Sequence, residues 1–133
     1  MNDVVRALGR AVDSESPREE RARTAAEIVR SARGYRWVGI YDVGDDEIVL
    51  IGHTGSTPPQ HQRFGMAEGL SGETVRTRAT VVSNRETIVP ILGAESGIVI
   101  GTLDAESDRV EAFSQDDVAF LEECAAALRP LYD

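Results

Sequence analysis

The sequence predicts one α+β domain: an antiparallel sheet of five or six strands, with the N- and C-terminal helices packed on one face. Three observations carry that prediction. Apolar residues recur at helical spacing at both ends of the chain, and between them the pattern switches to alternation. The length, 133 residues, suits one core and would squeeze two. Apolar residues make up 41% of the chain, so composition does not point to disorder.

Helices open the chain. Val4, Val5, Leu8 and Val12 fall on one helical stripe. A second helix is expected from Ser16-Pro17-Arg18-Glu19, with Ser16 as cap, Pro17 at the first helical position and Glu19 closing a capping box. Ala22, Ala25, Ala26, Val29 and Ala32 supply its apolar stripe, and Gly34 its stop. Residues 36–43 and 47–54 read as a hairpin turning at Asp45-Asp46. Residues 54–62 form a polar loop, and the Gly-rich run 64–69 leads into a short helix over 70–78. A short strand over 79–83 follows. A second hairpin, 87–92 with 97–103, turns at Gly93-Ala94-Glu95-Ser96. Ser114-Gln115-Asp116-Asp117 caps the last helix, Phe113 staples onto Val118, and Val118, Leu121, Ala125 and Leu128 form its apolar face. The single domain therefore divides into a helical segment 1–34, a sheet and pocket 35–113, and a C-terminal helix 114–133. With helices on one sheet face, the loops and the short helix must cover the other, which makes that side the place for a pocket.

Charge and cysteine usage narrow the function. The formal net charge is −9, which argues against nucleic acid. Every basic residue is Arg, so lysine chemistry of the Schiff-base or Walker kind is excluded. The one cysteine, Cys124, excludes an intrachain disulfide and a cysteine zinc cage. It falls among Leu121, Ala125 and Leu128, where it reads as a small buried hydrophobe. No signal-peptide pattern or membrane span is visible, and a cytoplasmic location is the expectation. The two histidines, His53 and His61, have no third ligand at a metal-binding spacing, and surface or loop roles are expected for both. No cofactor or metal is implied.

Strand alternation puts Trp37, Gly39 and Tyr41 on one face and Val38 and Ile40 on the other. The aliphatic pair suits the helix side. Trp37 and Tyr41 then face the loop side, with Gly39 leaving room between them. Asp104 and Glu106 also share a face, where the last strand is expected to end. Ser71-Gly72 at a helix start has no histidine placed by sequence to activate it, so a structural turn is the better reading than a nucleophile.

Four segments occur in an order that resembles a GAF domain from the second helix onward, and within that fold the free methionine-(R)-sulfoxide reductases. They are Trp37-Val38-Gly39-Ile40-Tyr41; Phe64-Gly65 with Gly69-Leu70-Ser71-Gly72; Glu86-Thr87-Ile88-Val89-Pro90; and Gly101-Thr102-Leu103-Asp104-Ala105-Glu106-Ser107. The resemblance implies a ligand shell of Trp37, Tyr41, Glu86, Asp104 and Glu106, although the family usually has Asp at the last position. It excludes the cyclic-nucleotide and bilin types, whose Asn-Lys signature and pocket cysteine are missing. The reductases' catalytic thiols do not carry over. Ser71 stands at one cysteine position and is counted with the pocket, and the loop bearing the others is cut away between Val82 and Glu86. A serine hydroxyl has neither a thiol's acidity nor its redox ladder. The expectation is a non-catalytic small-molecule sensor for a free amino acid or similar cationic metabolite. Its alternatives are a divergent reductase and a ligand-free dimerisation module. Phe120, Cys124, Ala127 and Leu131 suggest a second apolar edge, and the resemblance implies a homodimer through the terminal helices. A sensor of this size would signal through a separate partner.

Overall fold

In the computed structural model the described residues are 2–55, 63–65 and 69–133. Of the loop expected over 54–62, Thr54 and Gly55 belong to a strand, and residues 56–62, with His61, lie outside the described residues, as do residues 66–68 of the Gly-rich run.

The amphipathic stripes decide the layering. Leu8 and Val12 of α1 (Asn2–Asp13) and Ala22, Ala25, Ala26 and Val29 of α2 (Arg18–Arg33) are buried in one core. Leu121, Ala125 and Leu128, from α4 (Gln115–Ala127) and its C-terminus, join them against Val38, Ile40, Val89 and Leu103 of the sheet. Ala32, expected on the α2 stripe, is exposed in the last turn before Gly34. Gly34 ends α2 at φ +67, and its N–H donates to Arg30 O at 2.8 Å.

The six strands are β1 (Trp37–Val43), β2 (Glu47–Gly55), β3 (Arg63–Gly65), β4 (Val81–Val82), β5 (Glu86–Leu92) and β6 (Val99–Glu106). Their order is β3-β2-β1-β6-β5-β4, and every pairing is antiparallel. Strand β3 overlaps the start of the Gly-rich run expected over 64–69, where the sequence predicts no strand. It pairs with Glu47–Val49 across three residues, too few to show alternation in sequence. Strand β6 runs three residues beyond its expected end, because Asp104, Ala105 and Glu106 pair with both β1 and β5. Helix α3 (Gly69–Thr77) covers the face opposite the other helices, with Val75 packed against Trp37, Tyr41 and Ile48.

The caps divide. Ser114 accepts from Asp117 N and the Asp117 side chain accepts from Ser114 N, the reciprocal box expected at α4. At α2 the expected box does not form. Pro17 is the N-cap with no side-chain bond, and the Ser16 carbonyl instead accepts from Arg21 Nε at 3.0 Å. Phe113 stacks on Tyr35, with ring centroids 5.5 Å apart, and so ties the α4 entry to the start of β1. Ser114→Ala is expected to cost about 1 kcal/mol, read as a lower urea midpoint at unchanged m-value.

Candidate functional site

Parity along β1 separates its side chains as the alternation predicts. Val38 and Ile40 enter the helix-side core, and Trp37 and Tyr41 form the separate cluster beneath α3. Both aromatics are buried. Gly39 does not leave an open space between them. A Cβ there would lie 2.2 Å from Trp37 Cη2 and 2.7 Å from Cζ3, so the indole lies flat over Gly39. Gly55, opposite Trp37, is equally constrained: its φ is +141, and a Cβ would come within 2.8 Å of Trp37 Cα.

The acids arrive on the same face by register. Glu106 pairs with Trp37 on one side and Glu86 on the other. Asp104 sits between Gly39 and Ile88, one step along the same row of side chains. Burial pushes the Asp104 carboxyl well above the usual carboxylate range; the Glu86 and Glu106 charges push the same way, and the Thr102 hydroxyl opposes them. Glu86, half-buried, is also raised, by burial first and Glu106 next, with Arg36 pulling it down. Tyr41 is raised by burial and then by the Asp104, Glu106 and Glu86 charges. Asp104 is 4% exposed, so it is not a solvated carboxylate at a strand end.

Sequence reasoning missed His53. It lies in β2 opposite Gly39, and its ring stacks on Trp37 with centroids 5.9 Å apart and planes at 21°. The cause is a bulge. From the turn, Val43 pairs with Ile48 and Tyr41 with Leu50, but Ile40 pairs with Gly52. The extra residue reverses the parity of β2 beyond it. Gly52 thereby comes under α2, where a Cβ would lie 2.8 Å from Arg23 N, and His53 turns to the indole. Alternation counted straight from the turn would have put His53 beside Val38, on the helix face. Four buried polar atoms on this side, Trp37 Nε1, His53 Nδ1, Thr102 Oγ1 and Asp104 Oδ1, have no hydrogen-bond partner among the described residues. Leaving such an atom unsatisfied costs about 1–3 kcal/mol, which is why buried polar atoms are usually paired.

The remaining predicted residues fall as follows. Ser71 is buried in the first turn of α3, the helix that covers this face. Cys124 is buried in the helix-side core, across the sheet from Trp37, and burial pushes its thiol up to about 12. Phe120, Cys124 and Leu131, read as a second apolar edge, are buried within the chain's own core. Ala127, the fourth residue of that edge, is partly buried against the same core, where α4 meets α1 and the final 3₁₀ turn (Arg129–Tyr132). The Asp116-Asp117 pair serves α4 as expected and also binds Arg33, at 3.1 and 2.9 Å, beside the Phe120 ring. Among the described residues no His, Cys, Asp and Glu cluster is arranged to hold a metal ion, and no helix is long and apolar enough to cross a membrane.

An antiparallel six-stranded sheet with terminal helices on one face and a polar, aromatic site on the other defines the GAF fold. No family model matches the sequence, and no curated protein matches it. Solved structures do. A free methionine-R-sulfoxide reductase from Neisseria meningitidis, in complex with its substrate, is 26% identical, with a TM-score of 0.82 over 98% of this chain and 87% of that one. The GAF domain of an Acinetobacter phosphoenolpyruvate-protein phosphotransferase superposes with a TM-score of 0.83 at 18% identity, covering 98% and 91%. A type II free methionine-R-sulfoxide reductase from Thermoplasma acidophilum gives 0.75 at 25% identity, covering 87% and 95%. The chain thus has the GAF fold and is similar in structure both to free methionine-R-sulfoxide reductases and to other GAF domains.

Proposed function

We propose that this domain binds a small molecule on the Trp37 face, a free amino acid or a similar ammonium-bearing metabolite, and carries out no thiol redox chemistry there. The observation that carries the proposal is the group of buried polar atoms without a partner among the described residues, gathered on one face with the Glu86, Asp104 and Glu106 carboxylates. A ligand with a hydrogen-bond acceptor for the indole N–H and an ammonium group for the acids would satisfy them together. The indole adds a flat apolar surface that favours cations and sulfur-containing groups. The substrate complex of the Neisseria meningitidis reductase makes free methionine-R-sulfoxide the first ligand to try.

The cysteine argues for binding rather than turnover. A thiolate is the attacking species in thiol chemistry, and Cys124 is a buried thiol held protonated on the other side of the sheet. No second cysteine exists in the sequence to form a resolving disulfide.

A thermal-denaturation panel tests the reading. A ligand present at 100 times its Kd should add about 2.7 kcal/mol of stability. Free methionine-R-sulfoxide and the common amino acids form the panel, and a flat response removes the binding claim. Incubation with free methionine-R-sulfoxide and a thiol reductant should give no methionine. Turnover that disappears in Cys124→Ser would replace the binding reading with a catalytic one.

A further inference from the structure

The three carboxylates of the Trp37 face are not equivalent, and the residue that separates them is Arg36. It is the residue before β1, and its backbone N–H donates to Glu106 O at 2.9 Å. Its side chain reaches the same residue: Nη2 forms an ion pair with Glu106 Oε1, while Nε approaches Asp108 Oδ1 at 3.1 Å. The Arg36–Glu106 pair is partly buried, with side chains 27% and 30% exposed, whereas Asp108 is open to solvent. Arg36 thus fastens Glu106 twice, its backbone N–H holding the Glu106 carbonyl and its guanidinium the carboxylate. Glu86, directly across from Glu106, has no ion pair of its own among the described residues.

We infer that Arg36 is a positioning residue that sets the charge of ligand this face accepts: by engaging Glu106 it leaves a site matched to one ammonium group rather than two. The inference rests on the binding reading above and deepens it. Among the described residues the other groups facing Glu106 are Trp37 on β1, Glu86 on β5 and, further along the face, Asp104, Tyr41 and His53. Among them all, Arg36 is the one cation ion-paired with Glu106, so removing it leaves Glu106 and Glu86 opposed.

Arg36→Gln, Arg36→Lys, Glu106→Gln and the double variant Arg36→Gln/Glu106→Gln form the test, with free methionine-R-sulfoxide as the one-ammonium probe and L-lysine as the two-ammonium probe. The wild type should favour methionine-R-sulfoxide. Arg36→Gln should move the Kd ratio toward lysine by about tenfold. Arg36→Lys should keep the wild-type ratio, since the charge remains, and the double variant should restore it, since cation and carboxylate are removed together. A wild type that binds while Arg36→Gln leaves the ratio unchanged overturns the Arg36 role and leaves the binding reading standing.

A second readout needs no ligand. The NMR titration of the Glu86 carboxyl should move to higher pH in Arg36→Gln and to lower pH in Glu106→Gln, since the two neighbours act on it with opposite sign. If neither probe binds the wild type, these opposite shifts alone decide. Their presence supports Arg36 as the group that sets the charge of this face, and coincident or absent shifts overturn it. A purely structural role for Arg36 would not be rescued by also removing Glu106.

Discussion

Asp104→Asn is expected to make the protein more stable at neutral pH, although it alters a buried side chain. Asp104 is 4% exposed and has Oδ1 without a partner among the described residues, with Glu86 and Glu106 nearby on the same face. Those surroundings oppose its negative charge, so its carboxyl holds a proton to higher pH in the folded chain than in the unfolded one. Between the two midpoints the folded state binds more protons. Stability therefore falls as pH rises through that window and stays lowered above it. Asparagine does not titrate. The variant and the wild type should be similar at about pH 3 and below, where aspartate is protonated in both states. The gap should then open at up to about 1.4 kcal/mol per pH unit until the folded midpoint is passed. Urea midpoints collected from pH 3 to 8 measure it. The same variant should lose most of any ligand-induced stabilisation, because it removes a carboxylate from the proposed site. A variant that is less stable than wild type at pH 7 and equal to it at low pH would mean the carboxylate is favourably paired in the fold, and the site argument would fall with it.

Gly39→Ala should have the largest effect of the opposite sign. The added methyl would meet the indole ring at 2.2, 2.7 and 3.0 Å, closer than side-chain carbons pack. The indole has little freedom to yield, since His53 stacks on it and Gly55 runs so close that a Cβ there would lie 3.0 Å from its Cδ1. Overpacking of this kind costs about 1–3 kcal/mol. If the ring leaves its place, the loss approaches the roughly 3–5 kcal/mol of deleting a buried aromatic. Trp37 is the only tryptophan, so its emission reports the displacement directly. A red shift together with a lower urea midpoint is expected. Unchanged emission with less than about 0.5 kcal/mol of lost stability, the usual range for a surface change, would show that the indole does not lie over Gly39.

The two substitutions bear on different layers of the design. Asp104 concerns function: its buried carboxyl carries a stability cost that a folding-only design would avoid, and such costs collect at sites with work to do. Gly39 concerns packing: a residue without a side chain makes the bed for the largest one in the chain. The two pair in register, so the indole and the carboxyl are held side by side by the same strand contact.

Much of this was legible in the sequence because it follows from local periodicity. The helix stripes of α1, α2 and α4 needed only spacing, and Gly34 and Ser114 supplied their own stop and start. Alternation along β1 was enough to separate Trp37 and Tyr41 from Val38 and Ile40. What misled was local chemistry that admits more than one partner. Ser16 had the composition of a capping box, yet its carbonyl serves Arg21. Phe120, Cys124 and Leu131 had the look of a free edge, yet the chain's own helices and sheet cover them.

The sequence by itself determined the layers: which residues form helices, which strands alternate, and that a single cysteine sits in a helix. Those properties repeat every two or three to four residues and are set by the backbone of one segment. Tertiary structure decided the site. One extra residue in β2 turned His53 toward the indole, Glu106 acquired Arg36, and Asp104 became a buried acid between two strands. Register between strands depends on where a bulge falls, and the free energy of a charge depends on everything packed around it; neither quantity belongs to any one stretch of chain.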